Sequence, residues 1–112
     1  MNIINLQRHP VTVVPNDNAQ PLTFPSAGQV QVRMKVKDMT TNGVVKDGFW
    51  VHTRDLPPPQ PDTLYIVSSL VAMFELYVNG RTDLLFPWGL IKDNHGRVHG
   101  CRALCRPRQK DT

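Results

Sequence analysis

The sequence predicts an α+β fold: a small, mostly antiparallel sheet or partial barrel of six to eight strands, with one packed helix at about residues 69–79. Two observations carry this. Apolar and polar residues alternate with period two in several short runs, separated by prolines and turn residues, which is the pattern of half-buried strands. One run, "TLYIVSSLVAMFELYVNG" (63–80), abandons that period at Ser68-Ser69 and continues at helical spacing. A chain of 112 residues suits a single core. Residues 1–106 are expected to form that one domain, and 107–112 a basic, disordered tail.

In chain order, "IINLQRHPVTVV" supplies two β-rich pieces, 3–6 and 11–14, about a polar break at Gln7, Arg8 and His9. Pro10 and Pro15 punctuate it, and proline, which lacks a donor, suits strand ends, edges and bulges. The stretch reads as one interrupted edge strand, followed by a turn at "PNDN". "PLTFPSAG" is a short extended piece entering a turn at Gly28. In "QVQVRMKVK", Val30, Val32, Met34 and Val36 alternate with Gln29, Gln31, Arg33, Lys35 and Lys37, giving one apolar and one basic face. Asn42-Gly43 signals a hairpin, and "GFWVHTRDL" is rich in the aromatic and β-branched residues of a strand. "PPPQP" at 57–61 is a stiff extended connector, because each ring fixes φ.

Residues 63–67 read as a buried strand. From there the apolar positions 70, 73, 74, 77 and 78 follow helical spacing and are expected to lie on the sheet. Ser68 or Ser69 is the natural N-cap, since a serine oxygen accepts from first-turn amides, and Asn79-Gly80 is the matching stop. After a short extended piece "RTDLLFPW", "GLIKDNHGRVHGCRALC" gives two strands about a tight turn at 93–96, where Asn, His and Gly tolerate positive φ.

Composition is that of a globular chain, 40% apolar and 20% charged, with no apolar run near the roughly 20 residues that cross a bilayer. "MNIINLQRHP" lacks the small-residue cleavage site of a secretion signal, so a cytoplasmic location is expected. Cys101 and Cys105, four apart on a strand, would stand about 13 Å from each other and cannot bridge. The formal charge is +4, and Arg97, Arg102, Arg106, Arg108 and Lys110 concentrate it at the end of the chain. Such a tail either keeps the protein soluble or attracts phosphate-rich partners.

Four places merit weighing for chemistry. At the strand-to-helix junction, Ser68 and free amides sit at the positive end of a helix dipole, which serves as a cap or as an anion site. Arg81 and Asp83, two apart in an extended segment, face the same side; they form a local ion pair, or Arg81 offers its fork to a phosphate or carboxylate while Asp83 holds it. His9, in the polar break before Pro10, is structural or donates to an anion or acts as a base. His95, His99, Cys101 and Cys105 are soft ligands, but alternation spaces them too widely for one ion, and no metal is expected. Walker, GxSxG, HExxH and Rossmann patterns are missing, and the nine acids are scattered. No cofactor is expected.

The ordered set "INLQRHPVTVV", "FPSAGQVQVR", "LPPPQPDTLYIVSSLVA", "GRTDLLFP" and "GRVHGCRAL" resembles a family of small, uncharacterised proteins carried by bacteriophages, prophages and many actinobacteria. The resemblance covers residues 3–104. The family motifs read Asn-Leu-Thr-Pro-His-x-Val, Tyr-Ile-Val-Ser, Arg-x-Asp-x(3)-Pro and Gly-Cys-Arg. They fall on Asn5, Leu6, His9 and Val11; on Tyr65, Ile66, Val67 and Ser68; on Arg81, Asp83 and Pro87; and on Gly100, Cys101 and Arg102. The chain departs at Gln7 and Arg8, where the family has Thr-Pro, and in the bulkier helix "MFELYVN".

The motif residues lie at element ends within an apolar framework. This implies a non-enzymatic binding protein in which His9, Ser68, Arg81, Asp83 and Arg102 gather round a small anionic, nucleotide-like ligand. The phage resemblance implies an anti-defence role in a host cytoplasm, with sequestration of a signalling nucleotide by a homo-oligomer. A different class of reading is a protein- or nucleic-acid-interaction module that inhibits a host system through the basic face and tail. A small hydrolase with His9 as base and Arg81 as charge stabiliser lacks a visible second partner.

Overall fold

The structure, a computed structural model, describes residues 1–40 and 46–110, with side chains outside 34–50. Its elements are β1 (Asn2–Asn5), β2 (Val11–Val13), β3 (Leu22–Phe24), β4 (Gln31–Thr40), β5 (Lys46–Arg54), β6 (Thr63–Ile66), α1 (Ser69–Asn79), β7 (Leu84–Lys92) and β8 (Val98–Cys105). Six strands form one sheet in the order β1-β6-β7-β8-β2-β3, while β4 and β5 pair with each other. Eight described strands and one helix make the expected α+β class.

The six-stranded sheet curls until its ends nearly meet. Asn5 bridges Ser26, the Ala27 amide donates to Asn5 O at 2.8 Å, and the Val30 amide donates to Leu6 O at 3.0 Å. A barrel-like sheet protects its edges in this way. Parallel pairings (β1 with β6, β6 with β7, β2 with β8) share it with antiparallel ones (β7 with β8, β2 with β3). The parallel pairs need long crossovers, and the chain supplies them with the ribbon and proline connector before β6 and with the helix after it.

Residues 3–6 and 11–14 were expected to form one interrupted edge strand, and the structure separates them. β1 lies beside β6, whereas β2 lies between β8 and β3. The polar break between them crosses the barrel end instead of continuing along one edge.

Both faces of β6 and of the start of β7, Leu84 to Phe86, are covered, which is why "TLYIV" reads as continuously apolar. Tyr65, Val67, Leu84 and Phe86 point toward the helix and pack with Val71, Ala72 and Leu6. Ile66 and Leu85 point the other way and pack with Val11 and Cys101. Each such side chain contributes roughly 1.5–3 kcal/mol when fully buried.

The helix is bounded as its caps predict. Ser68 takes an extended φ of −67° and ψ of 157°, and its Oγ accepts from the Val71 amide at 3.2 Å. Gly80 ends the helix at φ 69°, and its amide donates to Leu76 O at 3.0 Å. The buried face, however, is Val71, Ala72, Glu75 and Leu76. The expectation that positions 70, 73, 74, 77 and 78 meet the sheet is corrected: Leu70, Met73, Tyr77 and Val78 are 46–62% exposed and Phe74 is half-buried. Val71 and Ala72 pack against Tyr65, Val67, Leu84 and Phe86 of the sheet. Glu75 tolerates burial because the Asn79 side-chain amide donates to its carboxylate.

The β4–β5 ribbon pairs antiparallel from Gln31 with Arg54 to Thr40 with Lys46. Its root joins the core through Val30, Val32 and Leu56. Arg33 is exposed. The expected turn at Asn42-Gly43, and the side chains of Met34, Lys35, Val36 and Lys37, lie outside the described residues. The proline connector that follows is flanked by Asp55 and Asp62, both at positive φ, a region Asp enters more readily than most residues.

Gly100 sets how closely β8 approaches β2, since a Cβ there would stand 2.7 Å from Thr12 O. Gly100→Ala is therefore expected to force the strands apart and to lower the unfolding free energy by about 1–3 kcal/mol in urea titration. An unchanged midpoint would contradict this packing.

Candidate functional site

The buried side chain of Asn5, 1% exposed, organises one end of the barrel. Its Nδ2 donates to His9 O at 2.9 Å and to Phe24 O at 3.0 Å, and its Oδ1 accepts from the Gln7 amide at 2.9 Å. Every hydrogen-bonding position of that amide except one acceptor lone pair is thereby used. Ser26 Oγ adds a bond to Gln7 O. The loop bearing Gln7 and His9 is thus tied at several points to β1 and β3.

The clamped loop forms one wall of a cleft of about 520 Å³. His9, Pro10 and Thr12 come from this wall, Ser68 and Ser69 from the start of the helix, and Leu90, His99 and Cys101 from the β7–β8 pair. That volume suits a small molecule.

The helix start offers donors. Val71 is satisfied by Ser68 Oγ and Ala72 by Ser68 O, while the amides of Ser69 and Leu70 have no hydrogen-bond acceptor among the described residues. Aligned peptide dipoles add a partial positive charge there.

The β7–β8 part of the lining depends on the turn joining those strands. Asp93 Oδ1 accepts from the amides of His95 at 2.8 Å and Arg97 at 2.9 Å, and its Oδ2 lies 3.2 Å from His99 Nε2. The Arg97 amide, then that of His95, and the neighbouring His99 hold the Asp93 carboxyl below its ordinary range. His99 is therefore held by a carboxylate that the backbone holds in turn. Its Nε2 must donate to that carboxylate. Likewise His9 Nδ1 must donate to Pro10 O, 3.2 Å away. Each ring's other nitrogen then donates only when the imidazole is charged.

The floor is apolar. Cys101 is buried, burial pushes its thiol up, and Sγ lies 3.6 Å from Thr12 O. A thiol held neutral in this way is a packing group, not a nucleophile.

Of the five residues the sequence nominated, His9 and Ser68 line the cleft. Arg81, Asp83 and Arg102 are not among its lining. Arg81 forms a two-pronged pair with Asp83, Nε to Oδ1 at 2.8 Å and Nη2 to Oδ2 at 2.9 Å, with side chains only 13% and 15% exposed. Its Nη2 also donates to Pro57 O at 3.0 Å, which fixes the proline connector. Asp83, by hydrogen bond first, raises the Arg81 pKa above its ordinary value, so the guanidinium is a permanent charge with its fork already occupied. Arg102 donates to Val14 O at 3.3 Å and to Asp17 Oδ1 at 2.9 Å, tying down the loop after β2.

Sequence reasoning missed Thr12 and the roles of Asn5, Asp93 and His99. His99 was weighed only as a metal ligand. Among the described residues, no group of three or more His, Cys, Asp or Glu side chains is placed to hold a metal ion. Among the described residues, no helix is long and apolar enough to cross a membrane. Comparison with protein-family models, with curated proteins and with solved structures gives no match.

Asn5→Ala leaves the Gln7 amide and the carbonyls of His9 and Phe24 without that partner, and is expected to cost about 2–3 kcal/mol in chemical unfolding. A loss below about 0.5 kcal/mol would show that the clamp is dispensable. For Asp93, a depressed folded pKa means that its contribution is present above the unfolded value, about 3.9, and is lost as pH falls through the folded one. NMR shifts of the His95 and Arg97 amides are expected to move together below about pH 4 while the sheet stays folded. Titration of Asp93 at the ordinary value would contradict the assignment.

Proposed function

We propose that this chain is a small-molecule binding protein whose cleft takes an anionic, nucleotide-like ligand. The single observation that supports it most is that His9 and His99 line one cleft together with the start of α1, whose first amides are open. An anionic group seated at the helix start would accept from the Ser69 and Leu70 amides, in a cleft that the two imidazoles also line. Pro10, Val11, Pro87, Leu90 and Val98 give the cleft an apolar surface for a flat ring. The formal charge of +4 would draw anions toward it.

Sequestration fits this arrangement better than turnover. The Cys101 thiol is neutral and packed, Ser68 Oγ is engaged as a cap, and the Arg81 fork is occupied. The resemblance to phage-borne proteins extends the proposal to an anti-defence role, in which a nucleotide-like signal in a host cytoplasm is held away from its receptor.

Calorimetric titration against cyclic nucleotides and ADP-ribose derivatives tests the reading. One member is expected to bind, and to weaken about 10- to 100-fold on His99→Ala. Arg102→Ala is expected to leave affinity unchanged, and the ligand is expected to be recovered intact. No heat across the panel, or equal affinity in a His9→Ala, His99→Ala double variant, would overturn it.

A further inference from the structure

The helix leaves its most apolar stripe uncovered. Leu70, Met73, Tyr77 and Val78 lie at i, i+3, i+7 and i+8, and they are 59%, 46%, 59% and 62% exposed. Beyond the helix start, Trp88 and Leu90 are 63% and 54% exposed. Ser69, the residue before Leu70, shares a surface hollow with Trp88, Gly89 and Leu90, so these two side chains lie near the first turn of the helix.

We infer that a second copy of this chain docks on this face, with the helices packing across a twofold axis. Area and charge support this occupant over others. The six residues together expose on the order of 700 Å², close to the roughly 800 Å² per partner of a stable interface. No charge lies on the stripe, since Glu75, the helix's one ionisable acid, is buried on the opposite side against the core. Two chains of net charge +4 repel each other over most of their surfaces. A charge-free apolar face is where identical copies meet with no sign to match, and a twofold contact needs only self-complementarity.

Burial of the stripe also accounts for a sequence that is costly in a monomer. Leu, Met, Tyr and Val at four exposed helix positions gain nothing in water, whereas Met and Tyr suit interface centres. Leu90 belongs both to this ledge and to the wall of the cleft, so the second copy would stand beside the cleft mouth. The inference does not depend on the ligand reading.

Sedimentation equilibrium of the full chain without ligand, over about 1–200 µM, tests it. A dimer is expected. Met73→Glu and Tyr77→Glu are each expected to weaken it by at least about 100-fold with the circular dichroism melt preserved, because both side chains are solvent-facing in one copy. Leu22→Glu, an equally exposed apolar position on β3, is expected to leave the dimer intact. A wild-type monomer throughout that range, or a dimer that survives both helix substitutions, would overturn the inference.

Discussion

The side-chain amide of Asn5 is the constraint on which the rest of the structure depends. A buried polar group without partners costs several kcal/mol, so this one is stable only if the loop that follows β1 and the end of β3 come to it. Their arrival closes the barrel end, since the backbone of Asn5 meets Ala27 while its side chain meets His9, Phe24 and Gln7. Closure in turn sets His9 in the cleft that the start of α1 and the β7–β8 pair also line. One residue therefore serves the seam and the cleft together, which links the stability of the fold directly to the geometry of its candidate site.

The same economy holds at the other end of the helix. Arg81 and Asp83 pair with each other and hold Pro57, so the connector arriving from the ribbon and the strand leaving the helix are joined by charge-assisted bonds that are largely shielded from water. A half-buried pair of this kind favours specificity of placement as much as stability, because losing either partner leaves a charge without compensation.

What the sequence made legible was local. The change of period at Ser68, the Ser68 cap, the Gly80 stop and the 93–96 turn all depend on residues within a few positions of one another, and each holds in the structure. The buried face of the helix was not legible, because "SLVAMFELYVN" is apolar nearly all round and spacing alone cannot decide which side meets the sheet. Packing of Val71 and Ala72 against β6 and β7 fixes it, a tertiary effect. Arg81 and Asp83 were rightly placed on one side of the chain, but whether the fork serves Asp83 or a ligand turns on what lies near, and Pro57 lies near. His99 reaches the cleft only because β8 pairs with both β7 and β2, and no local signal carries that. Asn5 had a signal of a sort, a polar residue inside an apolar strand, which is an uncommon placement unless the group is fully bonded.

Native-state hydrogen exchange at the Ala27 and Gln7 amides tests the seam most directly. If closure through Asn5 holds the barrel together, both amides exchange only with global unfolding, at the rate of the core amides of Tyr65 and Val67. Exchange of the seam amides through a low-energy opening, while Tyr65 and Val67 stay protected, would contradict the account.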